Sequence, residues 1–165
     1  MAKKVIKKET AKKAAKKVVK KAVKKAPVKK ETVKKSVFKK PDVPKLLGIF
    51  NKIKKEMMPY SPPFNVRINI EGKYDLWSEK DIEAFGRKYD SMMLAAIIIQ
   101  SGYVGFYFLP IYENPALKEK FSPAFVKLLK GKSCFHVKEL NDEILSEIKK
   151  ALEIGHDAYK KKGWI

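Results

Sequence analysis

The sequence predicts an α+β domain: an antiparallel sheet of about four to five strands packed by N- and C-terminal helices, preceded by a disordered Lys-rich tail. Three observations carry this. Charge and core-forming residues are segregated along the chain, helical periodicity appears at both ends of the non-tail part, and short β-branched and aromatic runs punctuated by Gly and Pro lie between.

The first 45 residues hold 19 lysines against Glu9, Glu31 and Asp42, a net of +16. The other 120 residues carry 19 Lys and Arg against 15 Asp and Glu, a net of only +4. Both Trp, all seven Tyr and eight of nine Phe follow Lys45, so the core-forming residues sit there too. The division is therefore residues 1–44 as a polycationic tail and residues 45–165 as one domain, large enough for a single core.

Within the tail, lysines come in pairs. Six pairs run from Lys3-Lys4 to Lys24-Lys25, mostly four residues apart; after Pro27 the spacing becomes five. With few apolar residues to bury and like charges at i,i+4, the free segment is expected to be disordered. With phosphates neutralising that repulsion, residues 11–25 are expected to turn helical, because a four-residue repeat keeps the pairs on one drifting stripe. Lysine is a point charge without the planar fork of Arg, so such a tail favours affinity over base readout. It resembles the tails of linker histones and bacterial histone-like proteins. Nucleic acid, bound without sequence preference through Lys12, Lys13, Lys16, Lys17, Lys20, Lys21, Lys24, Lys25, Lys29 and Lys30, is the expected partner.

In the domain, Pro41 to Pro44 forms a hinge, and Leu46, Leu47, Phe50, Ile53 and Met57 mark a helix over 45–57 that Pro59, Pro62 and Pro63 end. Phe64, Val66, Ile68 and Ile70 alternate with polar residues, predicting a half-buried strand. Glu71-Gly72 turns it into a second strand, Lys73 to Trp77. Ser78 is read as the N-cap of a short helix carrying Ile82, Phe85 and Tyr89. Met92 to Ile99 reads as a central strand, Ser101-Gly102 as a turn, and Tyr103 to Leu109 as an aromatic strand closed by Pro110. Ser122-Pro123 opens a helix with Phe125, Leu128 and Leu129, stopped by Gly131. Cys134 to Val137 is a short strand. Asn141 caps a last helix whose apolar stripe runs from Ile144 to Tyr159.

Several motifs fall short of chemistry. Gly131-Lys132-Ser133 ends like a phosphate-binding loop, but Val126 stands where its first glycine belongs. Gly102-Tyr103-Val104-Gly105 matches a GxxG by letters and reads as a turn. Cys134 and His136 alternate onto one side of a strand, where a thiolate–imidazole pair is chemically possible; an apolar Cys beside an ordinary His explains them more simply. Tyr103, Phe106, Tyr107, Phe108 and Tyr112 read as core packing before they read as a stacking platform for single strands. Acids on the last helix (Asp142, Glu143, Glu147, Glu153, Asp157) alternate with lysines as on a solvated face. No catalytic set, metal site or cofactor is assigned. One cysteine excludes an intrachain disulfide, the longest apolar run is eight residues, and the basic N-terminus lacks both an apolar stretch and arginine. A cytoplasmic protein, nucleoid-associated through its tail and with no membrane partner, is expected.

The runs Gly102–Tyr112, Ser122-Pro123, Gly131–Lys138 and Gly155–Ile165, with Leu117 between, resemble the YdhG-like domain family of bacteria. The similarity is strong from about Met92 onward and extends back to about Leu46. It implies a frataxin-like α+β fold, and one branch of the family is described as an intracellular iron chaperone. That role depends on an acidic surface, whereas the first helix here carries Lys45, Lys52, Lys54 and Lys55 against Glu56. The Gly131–Phe135 stretch is the most distinctive match, and a small-ligand pocket of Lys132, Ser133, Tyr107 and His136 is expected around it. Two functions follow: a non-enzymatic domain carried to nucleic acid by its tail, or an iron- or small-ligand-binding domain with an incidental tail.

Overall fold

A computed structural model describes residues 42–165. The lysine pairs expected to bind nucleic acid, and the expected tail disorder, lie outside the described residues.

The first helix, α1 (Val43–Met57), starts where Asp42 accepts a hydrogen bond from the Lys45 amide and Pro44 occupies the first turn. Its buried stripe is Leu46, Ile49, Phe50, Ile53 and Met57. The last helix, α4 (Asp142–Lys161), is capped by Asn141, which accepts from the Ile144 amide at 2.8 Å. Both helices pack on the central strands of the main sheet and on each other.

That sheet has six antiparallel strands rather than four or five. In chain order they are β1 (Asn69–Ile70), β2 (Lys73–Ser78), β5 (Met92–Gln100), β6 (Tyr103–Phe108), β7 (Leu129–Lys130) and β8 (Cys134–Val137), arranged β1-β2-β5-β6-β8-β7. The strand that the sequence reading misses is β7, an edge strand only two residues long. A separate hairpin pairs β3 (Ile82–Ala84) with β4 (Arg87–Tyr89). Two single-turn helices, α2 (Pro110–Glu113) and α3 (Pro123–Val126), complete the domain.

Strand alternation sorts the sheet into two faces. Tyr74, Leu76, Ala95, Ile97, Val104, Phe106, Phe108, Phe135 and Val137 are buried and belong to one core with the helix stripes. The opposite face carries Asp75, Ala96, Ile98, Tyr103, Gly105, Tyr107, Cys134 and His136, in register across neighbouring strands.

Three expectations are corrected. Ser78 ends a strand and caps no helix; its hydroxyl donates to the Trp164 carbonyl. Residues 82–89 form the β3–β4 hairpin, whose two-residue turn puts Phe85 at φ 53° and Gly86 at φ 69°, the mirror-image turn that suits twisted hairpins. Ile82 and Tyr89 do share a face, but by cross-strand pairing rather than helical spacing.

The helix after Ser122 lasts one turn. Leu129 and Lys130 pair with Phe135 and Cys134, so Gly131 lies in a hairpin turn instead of stopping a helix.

The strand expected over 64–70 is interrupted. Asn65 bridges Trp77, and pairing resumes only at Asn69. Between them the backbone bulges, and the amides of Arg67 and Ile68 donate to Asp75 Oδ1 at 3.0 and 2.8 Å. A buried carboxylate on the neighbouring strand thus replaces the missing ladder partners.

Candidate functional site

The face of the sheet opposite the helices holds the most concentrated polar and aromatic chemistry. Alternation along β8 turns Cys134 and His136 outward, and Lys138 continues the same period. On β6 it turns Tyr103, Gly105 and Tyr107 outward, while Phe106 and Phe108 are fully buried. The aromatic strand thus divides between core and surface by its period of two.

Gly105 stands directly opposite His136. Tyr107 leans over the missing side chain, with its Cε2 3.0 Å from where a Cβ would stand. On the other side, Tyr103 and His136 stack with ring centroids 3.8 Å apart and 12° between planes. His136 also lines a cleft of about 490 Å³ with Lys127, Leu128, Lys130, Lys138 and Glu139. Three lysines and one carboxylate line it, and that carboxylate pairs with Lys45 of α1 at 3.1 Å. The imidazole is held below its usual pKa, mainly by burial and then by Lys130 and Lys138.

Cys134 lies opposite Tyr107. Burial pushes its thiol up, with the Tyr107 hydroxyl pulling the other way. The thiol form is favoured, and the neighbouring imidazole is engaged with Tyr103.

The four residues expected to form a ligand pocket are not gathered into one cavity. Lys132 reaches from the β7–β8 turn to Tyr112, its Nζ 4.9 Å from the ring centre, and lines a different cleft of about 280 Å³. The Ser133 carbonyl accepts from the Phe108 amide at 2.9 Å. Tyr107 covers Gly105, and His136 belongs to the lysine-lined cleft. Lys127, Lys130 and Lys138 are the residues that sequence reasoning missed. The continued alternation Cys134, His136, Lys138 was the available signal.

A larger cleft of about 580 Å³ lies beside the β3–β4 hairpin, lined by Trp77, Phe85, Arg87, Tyr89 and Tyr112 among others. Trp77 Nε1 is buried with no acceptor among the described residues. The face of Trp77 carries the Arg67 guanidinium at 4.1 Å, itself bound through two hydrogen bonds to Glu79.

On α4, Glu147 accepts from the Ser122 amide at 3.2 Å, and Lys149 pairs with Glu56 at 3.3 Å. Among the described residues no three His, Cys, Asp or Glu side chains converge in a way that could hold a metal ion. None of the described helices is long and apolar enough to cross a membrane.

Comparison of the chain with protein-family models, with curated proteins and with solved structures gives no match.

Proposed function

We propose that this chain is a non-enzymatic nucleic-acid-binding protein. Residues 1–44 supply sequence-independent affinity, and a YdhG-like α+β domain accompanies them. One observation carries the reading: a net charge of +16 within the first 45 residues, against +4 in the rest. Such a segment binds polyphosphates by releasing counterions, each neutralised phosphate steepening the salt dependence by about 0.9 in log–log slope on duplex DNA. The reading is non-enzymatic because the one candidate nucleophile–base pair is not assembled as such: burial pushes the Cys134 thiol up, and His136 is stacked on Tyr103. A cytoplasmic, nucleoid-associated location follows from the same partner.

Fluorescence anisotropy with a labelled duplex tests this. Affinity of the full chain is expected to fall linearly on a log–log plot against salt. Changing Lys12, Lys13, Lys16, Lys17, Lys20, Lys21, Lys24, Lys25, Lys29 and Lys30 to Gln is expected to flatten that slope. Absent or salt-independent binding would overturn the reading.

The 580 Å³ aromatic cleft favours a second reading, a small-ligand domain with an incidental tail. Its iron-chaperone form has no converging donor set among the described residues to rest on. Calorimetric titration of the full chain with ferrous iron decides that form: micromolar binding supports it, and none removes it.

A further inference from the structure

The lysine-lined cleft combines two features that a polycationic tail does not need. Its wall includes an aromatic ring already stacked on a second one, His136 on Tyr103. Its charge is concentrated around that ring, with Lys127, Lys130 and Lys138 lining the same space of about 490 Å³. The single lining carboxylate, Glu139, is drawn to Lys45. Cavities of roughly 300–1,000 Å³ hold small-molecule-sized groups. A planar group lying against the imidazole would extend the Tyr103–His136 stack, and an anionic group attached to it would meet the ammonium groups.

We infer that this cleft seats one unpaired nucleotide of single-stranded nucleic acid, the base stacking with His136 and the adjoining phosphate meeting Lys127, Lys130 and Lys138. Base–aromatic stacking is tolerant of base identity because every base has a π-face. A base within a duplex has both faces covered by its neighbours and cannot enter. The cleft therefore selects strand form rather than sequence. The inference rests on the nucleic-acid reading and deepens it: the tail sets affinity for any polyphosphate, and the domain sets preference for single strands.

The test uses the full chain, labelled oligothymidylate and a blunt duplex of equal length, at low salt and at about 0.2 M salt, where the tail's many phosphate contacts are weakened far more than the few in the cleft. At high salt the wild type is expected to keep single-strand binding while losing the duplex. His136→Ala is expected to lower single-strand affinity by roughly 10- to 100-fold, the range measured for loss of one base–aromatic stack. His136→Phe keeps a stacking ring and is expected to retain it. Lys130→Gln with Lys138→Gln, both exposed-surface or edge changes, provides a second route should His136→Ala fail to fold. Duplex binding at low salt should change less than about twofold in every variant.

Equal affinities for both forms at high salt, or variants that leave single-strand binding intact, would overturn the cleft while leaving the tail reading in place. Failure of the wild type to bind either form at low salt would overturn the tail reading. The cleft is then judged by titrating thymidine monophosphate and following the Tyr103 and His136 ring resonances by NMR. Shifts confined to those rings uphold the site, and their absence overturns it.

Discussion

Gly155 on α4 lies so close to Phe108 on β6 that a Cβ there would stand 2.7 Å from Phe108 Cε2 and 2.8 Å from Leu94 Cδ1. Phe108 and Leu94 are fully buried, so neither has free space to retreat into. This glycine sets how closely the last helix approaches the sheet.

Gly155→Ala is expected to destabilise the domain by up to about 2 kcal/mol net, overpacking of about 1–3 kcal/mol being offset in part by the roughly 1 kcal/mol that Ala gains over Gly inside a helix. Gly48→Ala isolates the opposing term. Gly48 is an exposed position within α1 with nothing within 4 Å of an added Cβ, so this change is expected to stabilise by about 0.5–1 kcal/mol. Urea denaturation of the two variants should move the midpoint in opposite directions. A shared direction would show that the helix–sheet contact is not tight.

Asp75→Ala is expected to cost about 1–3 kcal/mol by leaving the Arg67 and Ile68 amides of the bulge without an acceptor. Asp75→Asn keeps one acceptor oxygen and should cost less. Hydrogen exchange at those two amides reads the effect directly: faster exchange in Asp75→Ala is expected, and unchanged protection would refute the capping role.

Trp164→Ala is expected to cost about 3–5 kcal/mol, the usual range for deleting a buried indole. The ring packs edge-on against Tyr159 with centroids 5.1 Å apart and is 8% exposed. The Trp164 carbonyl is also the acceptor for Ser78, so the Ser78→Ala effect should shrink in the Trp164→Ala background. A double-mutant cycle measures this, and strict additivity would mean the two contacts are independent.

His136 gives the domain a pH dependence of defined sign. Its folded pKa lies below the ordinary value of about 6.5, through burial and then through Lys130 and Lys138. The unfolded chain therefore binds more protons than the folded one between the two pKa values. Stability rises with pH through that window and is lower below it. Lys127 and Glu139, the latter paired with Lys45, also line its cleft, and Tyr103 covers one ring face. Melting temperatures of wild type and His136→Gln measured from pH 8 to pH 5 should diverge, the wild type losing more stability on acidification. Parallel curves would remove the assignment.

Much of the domain was legible from local rules. Asn141 caps the last helix, and the Glu71-Gly72 and Ser101-Gly102 turns join strands as their residue types predict. The failures share a cause. Ile82, Phe85 and Tyr89 fit helical spacing by number, yet Phe85-Gly86 is a turn, and only pairing across it explains why Ile82 and Tyr89 coincide. Leu129-Lys130 is too short to announce itself and is a strand only because β8 is there to pair with it. The candidate site was half legible. Alternation placed Cys134 and His136 on one side of their strand, but Tyr103 and Tyr107 read as core, and the Tyr103–His136 stack and the lysines beside it depend on register between strands far apart in the sequence.

By itself the sequence determined the charge division, the two long helices and the alternation that turns Cys134 and His136 to one side of their strand. These follow from composition and periodicity, which act over a few residues at a time. Tertiary structure decided which outward-facing residues became neighbours: Gly105 opposite His136, Asp75 beneath the bulge, Gly155 against Phe108. Such contacts depend on strand register and helix docking, which are set by the packing of the whole core rather than by any local run of residues.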